Sequence, residues 1–324
     1  PNPAVREWFA DRLPGLVVAA TQAEILPHVE AVYVAVPHDL HESAYREAIR
    51  AGKHVFAEKP FGIDRAACEA ILAEPAKGLV RVSSEFPFFP AVQRIVRLHG
   101  EGFFGRVFEV RAAFRHSSDL DPTKPINWKR RVATCGAYGC LGDLGLHVVH
   151  VPFRLGYVPK DVRAVLSKIV AERPDGRGGT APCETWDNAT LLCRGSRDET
   201  LLFETKRIAP GETNSWDLAI YGTDGSAEFT TKRPKTLRTL TTARRQRWAE
   251  EDLGWADAAH PGVTGGIFEF GFSDAVQQMW AAFLTEASGG VPPFGCATPA
   301  EAHLSHRLFT AALRSHESGR AEAV

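Results

Sequence analysis

Residues 31–36, Ala-Val-Tyr-Val-Ala-Val, are apolar without polar alternation, and Val55-Phe56-Ala57 repeats the pattern after a helical interval. A strand that is hydrophobic on both faces must be covered on both, which calls for a parallel sheet with helices above and below. The surrounding chain supplies the covers. Residues from about Asp39 to Arg50 read as a helix ended by Ala51-Gly52, Asp64 caps another to about Glu74, and Leu79 to Ser83 reads as a further strand. Upstream, Ala4 to Leu13 reads as a helix with Val5, Trp8, Phe9 and Leu13 on one face, stopped by Pro14-Gly15. A strand over Leu16 to Ala20 and a short helix capped by Thr21 follow.

From about residue 105 the rhythm changes. Strands are expected near 106–116, 161–171, 186–194, 199–208, 215–222, 225–231 and 236–242, with turn signals at Gly195-Ser196-Arg197-Asp198 and Thr223-Asp224-Gly225. Two helices close the chain, Ser273 to Glu286 and Pro299 to Ser315, the latter capped by Thr298. The expectation is an α/β Rossmann-type parallel sheet over residues 1–84, then an α+β unit over 85–324 with a large, mainly antiparallel sheet. The closing helices are free to pack back on the first unit.

Composition narrows the partners. A formal charge of −1 and a pI near 7.0 give no global field for nucleic acid or an acidic membrane surface. No run of 18 or more apolar residues suggests a bilayer span, so small molecules are the expected ligands. The six cysteines include no C-x-x-C pair, which favours reduced thiols and a cytoplasmic setting. No metal site is expected: Asp143, His147 and His150 have permissive spacing but lack an H-E-x-x-H frame or a further ligand cluster.

In an open parallel sheet, ligands bind beyond the carboxyl ends of the strands. Two unusual strand ends fall there, Pro37-His38-Asp39-Leu40-His41 and Glu58-Lys59-Pro60. A proline is admissible once the ladder has ended, and its fixed φ turns the chain away, leaving Lys59 at the mouth of the crevice. The stretch V-A-V-P-H-x-x-H followed by A-x-x-A-G-K-H-V-x-x-E-K-P resembles the Gfo/Idh/MocA dehydrogenase family, named for glucose-fructose oxidoreductase, inositol dehydrogenase and a rhizopine-catabolism protein. Two later segments agree in order and separation: CGAYGCLGDLGLHVVH from Cys135 to His150, and TPAEAHLSHRLFTAALRSHESG from Thr298 to Gly319.

The resemblance implies NAD or NADP as cofactor, with Pro37, His38, His41, Glu58 and Lys59 lining the dinucleotide, and Lys59, Asp143 and His147 as the catalytic set. Asp143 and His147 are four apart and so share one helix face, which His150 extends, while Pro152 is expected to kink that helix or disturb its early turns. Oxidising a secondary alcohol requires removal of its hydroxyl proton as hydride leaves, a role that suits the His147 imidazole. Lys59 would hydrogen-bond the developing alkoxide. Trp128, beside Lys129-Arg130-Arg131, together with Glu85 and His150, is the expected lining for a sugar or polyol. One departure stands out. In SSEFPFFPA, Glu85 and Pro87 replace the asparagine and arginine of the family's N-x-R-F segment.

The family's G-x-G-x-x-G phosphate cradle is absent, so the reading expects the first strand, the glycine loop and the ribose-binding acid to lie upstream of Pro1-Asn2-Pro3. The leading expectation is an NAD(P)-dependent oxidoreductase for a sugar, inositol or related polyol. A dinucleotide-binding sensor, or a redox-neutral lyase or glycosidase using bound NAD, is the alternative. A homodimer or homotetramer is expected through the antiparallel sheet, whose second face needs a cover. The seven basic residues Lys232, Arg233, Lys235, Arg238, Arg244, Arg245 and Arg247 precede Glu250, Glu251, Asp252 and Asp257, which suggests a solvated hairpin. The Asn188-Ala189-Thr190 sequon falls within an expected strand and is discounted.

Overall fold

A computed structural model describes residues 2–243, 246–263 and 266–324, so Pro1, Arg244, Arg245, Thr264 and Gly265 lie outside the described residues. Helix α1 (Pro3–Arg12) begins with Asn2 as its N-cap and is followed by the short α2 (Gln22–Ile25). Next come β1 (Ala31–Val34), α3 (His41–Arg50), β2 (His54–Ala57), α4 (Arg65–Leu72) and β3 (Val80–Val82). The three strands form a parallel sheet in the order β1-β2-β3, with Asp64 Oδ1 accepting from Ala67 N at 2.8 Å to start α4. Val55, Phe56 and Ala57 are wholly buried, as their unbroken apolarity requires.

Two expectations at this end are corrected. Residues Leu16–Ala20 form no strand: β1 pairs only with β2 among the described residues, and its other edge is not joined by this run. Helix α1 buries none of its residues, and Val5, Trp8, Phe9 and Leu13, the apolar face read from the sequence, are exposed. Amphipathic spacing specifies a face, but only a partner surface can bury it.

Helix α5 (Pro90–Gly100), which the sequence reading lacks, leads into the second unit. There follow β4 (Val107–Arg115), α6 (Val132–Cys135), α7 (Cys140–Arg154), β5 (Pro159–Ser167), the small β6 (Glu172–Pro174) and β7 (Thr180–Pro182) hairpin, β8 (Asn188–Gly195), β9 (Thr200–Lys206), β10 (Ser215–Gly222), β11 (Gly225–Thr230), β12 (Thr236–Thr241) and β13 (Ala249–Asp252). Helices α8 (Phe272–Ala287) and α9 (Pro299–Ser318) and the short β14 (Glu322–Ala323) end the chain. Among the described residues the large sheet has nine strands in the order β13-β12-β11-β10-β4-β9-β8-β5-β14, and β4 pairs with β9 in parallel while its other pairings are antiparallel. Of the described basic residues, Arg233 and Lys235 lie in the turn before β12 and pair with Glu250 at 2.7 Å and Asp252 at 3.2 Å, and Arg238 lies in β12 itself.

Helix α7 is the axis of the molecule. Every residue from Cys140 to Phe153 is buried, between the large sheet and α9. The segment Val132–Arg154 is long and apolar enough by composition to cross a membrane, yet its most apolar window is 78% buried inside this fold. Pro152 falls in the last turn of α7, which runs through it to Arg154. At the other end, Gly139 caps the helix at φ 57° and ψ −120°, and a Cβ there would meet Trp186 N at 2.6 Å. Only glycine tolerates both the dihedral and that approach, and so it fixes where α7 starts. Helix α9 packs against α7 and β5 and also touches α4 and β3, so it joins the two sheets. The second face of the large sheet is uncovered, with Phe108, Val165 and Leu192 exposed on it.

Candidate active site

The crevice beyond the carboxyl ends of β1 and β2 holds a cavity of about 320 Å³. Val36, Pro37, His38 and His41 line it from the loop after β1, Glu58 and Lys59 from the end of β2, and Trp128, Lys129 and Asp143 from the second unit. His41 ties the two loops together, with one ring nitrogen 2.7 Å from Pro60 O and the other 2.9 Å from Val36 O. His38 sets Nδ1 3.0 Å from Cys135 O and packs edge-on against the Trp128 ring. Burial drives the His38 pKa down to about 3, so its ring is neutral.

Asp143 is the hub. Lys59 Nζ donates to its Oδ1 at 2.9 Å and to its backbone carbonyl at 2.6 Å. Lys129 Nζ reaches Oδ1 and Oδ2 at 3.2 and 3.0 Å, and the fully buried Arg207 donates to Oδ2 from Nε at 3.2 Å. Burial alone would raise this carboxyl, but Lys59, Arg207, Lys129 and His38 hold it well below the usual carboxylate range. Burial pulls the Lys59 ammonium down, and Asp143, Glu58 and Glu85 together outweigh it, so its pKa is raised. Lys59 is therefore a fixed cation and hydrogen-bond donor, unsuited to act as a base at neutral pH.

His147 lies one turn after Asp143, is 3% exposed, and does not line the crevice cavity. Its Nδ1 faces Ser84 Oγ at 3.2 Å and Glu85 Oε2 at 3.6 Å, and its Nε2 has no hydrogen-bond partner among the described residues. Burial and Lys59 keep the imidazole well below its ordinary pKa and hence neutral. Glu85 does not line the cavity either. His150 is brought elsewhere: wholly buried, it sits beside Phe294 with Nε2 3.7 Å from Glu301, which is bound to Arg154 at 2.6 Å. His150 stays on the stripe of Asp143 but lies seven residues, about 10 Å, further along the helix axis, which carries it past the crevice to Glu301 and α9.

Lys129 and Arg207 as partners of Asp143, and Tyr33 donating to Glu58, were not read from the sequence. Arg207 had a signal. Leu201, Phe203 and Thr205 alternate inward along β9 and are buried, and Arg207 continues that parity as a buried cation that must find an anion.

Fold and crevice together define a two-domain oxidoreductase architecture. The family described as "Oxidoreductase family, NAD-binding Rossmann fold" matches residues 6–86, and the "GFO/IDH/MocA C-terminal domain" matches residues 92–228. The chain belongs to the Gfo/Idh/MocA oxidoreductase family. It is 29% identical over 227 residues to levoglucosan dehydrogenase of Pseudarthrobacter phenanthrenivorans, a match over 65% of this chain and 58% of that protein. It is 24% identical over 247 residues to inositol 2-dehydrogenase of Rhizobium meliloti, over 74% of this chain and 68% of that one. The chain thus spans less than two thirds of the length of the first relative. The fold matches a solved levoglucosan dehydrogenase in complex with NADH at a TM-score of 0.89, with 24% identity over 100% of this chain and 88% of that one. An oxidoreductase domain protein from Kribbella flavida matches at 0.83, with 26% identity over 94% of this chain and 83% of that one.

Proposed function

We propose that the chain transfers hydride between NAD(P) and a secondary alcohol of a sugar, inositol or related polyol. The observation that carries this reading is the meeting of Lys59, from the end of a parallel strand, with Asp143, from the central helix, at 2.9 Å in the crevice. The residues present suit the nicotinamide end of a dinucleotide: Val36 and Pro37 offer an apolar wall, and Glu58 offers an acceptor for ribose hydroxyls. No strand of the three-stranded sheet leads directly into a G-x-G-x-x-G turn. A bound nicotinamide would supply the hydride acceptor.

The protein's own groups handle charge and protons. Lys59 donates to the substrate oxygen and stabilises it as negative charge develops during oxidation. Asp143 holds the Lys59 and Lys129 ammonium groups in place, and neutral His147 accepts the hydroxyl proton on its free Nε2. Trp128 offers a ring face to the apolar side of a sugar. The names of the levoglucosan, inositol and xylose dehydrogenases among the relatives support the substrate class. A cytoplasmic setting is supported by six buried free thiols.

With either NAD+ or NADP+, the purified protein is expected to form reduced nicotinamide, followed by absorbance, on at least one member of a sugar and polyol panel. No reduction of either nucleotide across the panel overturns the reading. We also place a second copy of the chain on the uncovered face of the nine-stranded sheet. Light scattering is expected to give at least twice the protomer mass, and a strictly monomeric species would refute it.

A further inference from the structure

We propose that Glu85 is the proton acceptor behind His147: the imidazole takes the substrate hydroxyl proton on Nε2 and gives up its Nδ1 proton, through Ser84, to the Glu85 carboxylate. This rests on the dehydrogenase reading above and assigns Glu85 a role other than substrate contact.

The geometry sorts the two ring nitrogens. Ser84 Oγ and Glu85 Oε2 share the Nδ1 side, at 3.2 and 3.6 Å, while Nε2 has no partner among the described residues. The Phe86 and Phe114 rings stand edge-on to the imidazole at 5.3 and 5.6 Å, nearly perpendicular to it, and hinder rotation that would exchange the nitrogens. Ser84 is wholly buried, whereas the Glu85 side chain retains 14% exposure, a route for the proton to leave. The other charged or titratable groups acting on the ring are Lys59, Asp143, Lys129 and His150, and those acting on Glu85 are Lys59 and Glu58.

Atoms and charge balance. In oxidation the substrate O–H bond breaks and an Nε2–H bond forms. The Nδ1–H bond breaks as its proton passes to Ser84 Oγ, and the Ser84 O–H bond breaks as its own proton passes to a Glu85 carboxylate oxygen. The electron pair of the C–H bond leaves with the hydride. Ketone reduction runs the same proton path backwards.

Burial lifts the Glu85 carboxyl to about 7, with Lys59 pulling it down and Glu58 pushing it up. The sign follows. Oxidation needs the carboxylate, so its rate is full above that value and falls as pH drops through it. Reduction needs the acid, so its rate is full below and falls as pH rises. A residue that only shaped the site would not give opposite limbs at the same pH.

Glu85→Gln keeps the size but cannot take a proton. It is expected to lower kcat about 10²-fold with KM for the alcohol nearly unchanged, and to remove both limbs, while Glu85→Asp regains part of the rate. Ser84→Ala, which deletes only a hydroxyl, is expected to lower kcat at constant KM. Unchanged kcat in Glu85→Gln or in Ser84→Ala overturns the relay.

A readout independent of turnover separates this from failure of the dehydrogenase reading. In protein without substrate, ¹⁵N shifts should show His147 with its proton on Nδ1 at a pH well above the Glu85 midpoint, and the ¹³C shift of the Glu85 carboxyl should titrate near neutrality. A proton on Nε2 under that condition overturns the proposal even if the enzyme is active. If the shifts agree and no alcohol is oxidised, the proton path stands and the assigned reaction falls.

Discussion

Asp143→Ala is expected to lower the free energy of unfolding by about 3–5 kcal/mol, because it leaves cations in and beside the core without their anion. Three positive groups converge on this carboxylate: Arg207, wholly buried, Lys59, with 17% of its side chain exposed, and Lys129, with 37%. Removing one partner of a buried pair costs more than the pair contributed, since the remaining charge has lost its water as well as its counter-ion. Lys129 can turn outward to solvent. Arg207 cannot, because it is held against Lys129 O and Cys135 Sγ. Asp143→Asn keeps the volume and an acceptor, so it should cost less than alanine. Urea unfolding with unchanged slope is the measurement, and a loss under about 1 kcal/mol for Asp143→Ala would refute the account. The pH dependence has a definite sign. The folded carboxyl is depressed, so its contribution is complete above the unfolded carboxylate value of about 3.9 and is lost as pH falls below that toward the folded value.

The strands of the first sheet were legible because burial on both faces leaves no freedom in residue type. Val34, Val55, Ala57 and Val82 lie in one core cluster of that sheet, while Phe56, on the opposite face, joins the larger core beside Trp280 and Phe283. Lys59 at a strand end and the shared face of Asp143 and His147 were legible for a similar reason, since helical periodicity is a local property. What fell outside the reading depends on partners distant in sequence. Helix α1 has a patterned apolar face that nothing among the described residues covers, and Leu16–Ala20 has strand composition but pairs with no strand among the described residues. The parallel pairing of β4 with β9 is equally invisible in either strand alone. His150 shares a stripe with Asp143 and His147, yet the rise of seven residues, about 10 Å from Asp143, carries it along the helix to Glu301 and α9. The Asp143 hub draws on residues 59, 129, 143 and 207, which only the closed fold brings together.

Lys59→Met is expected to be the counterpart of Asp143→Ala: large in catalysis and small in stability. Methionine preserves most of the aliphatic stem, and Asp143 keeps Lys129 and Arg207, so no buried charge loses its last partner. The change in unfolding free energy should stay within about 1 kcal/mol. The fall in kcat/KM should be about 10²–10³-fold, as for loss of one donor aimed at developing negative charge. Because Lys59 is a fixed ammonium, its loss should not delete a titration from the rate profile but displace one. Lys59 pulls the Glu85 carboxyl down from where burial would put it. Without that cation the carboxyl titrates at higher pH, and residual alcohol oxidation must rise at correspondingly higher pH than in the parent enzyme. A variant with parental kcat/KM would remove Lys59 from the chemistry. A weakened variant whose profile does not move upward would separate Lys59 from Glu85, and would show that the ammonium acts on the substrate oxygen without setting the charge of the carboxyl behind His147.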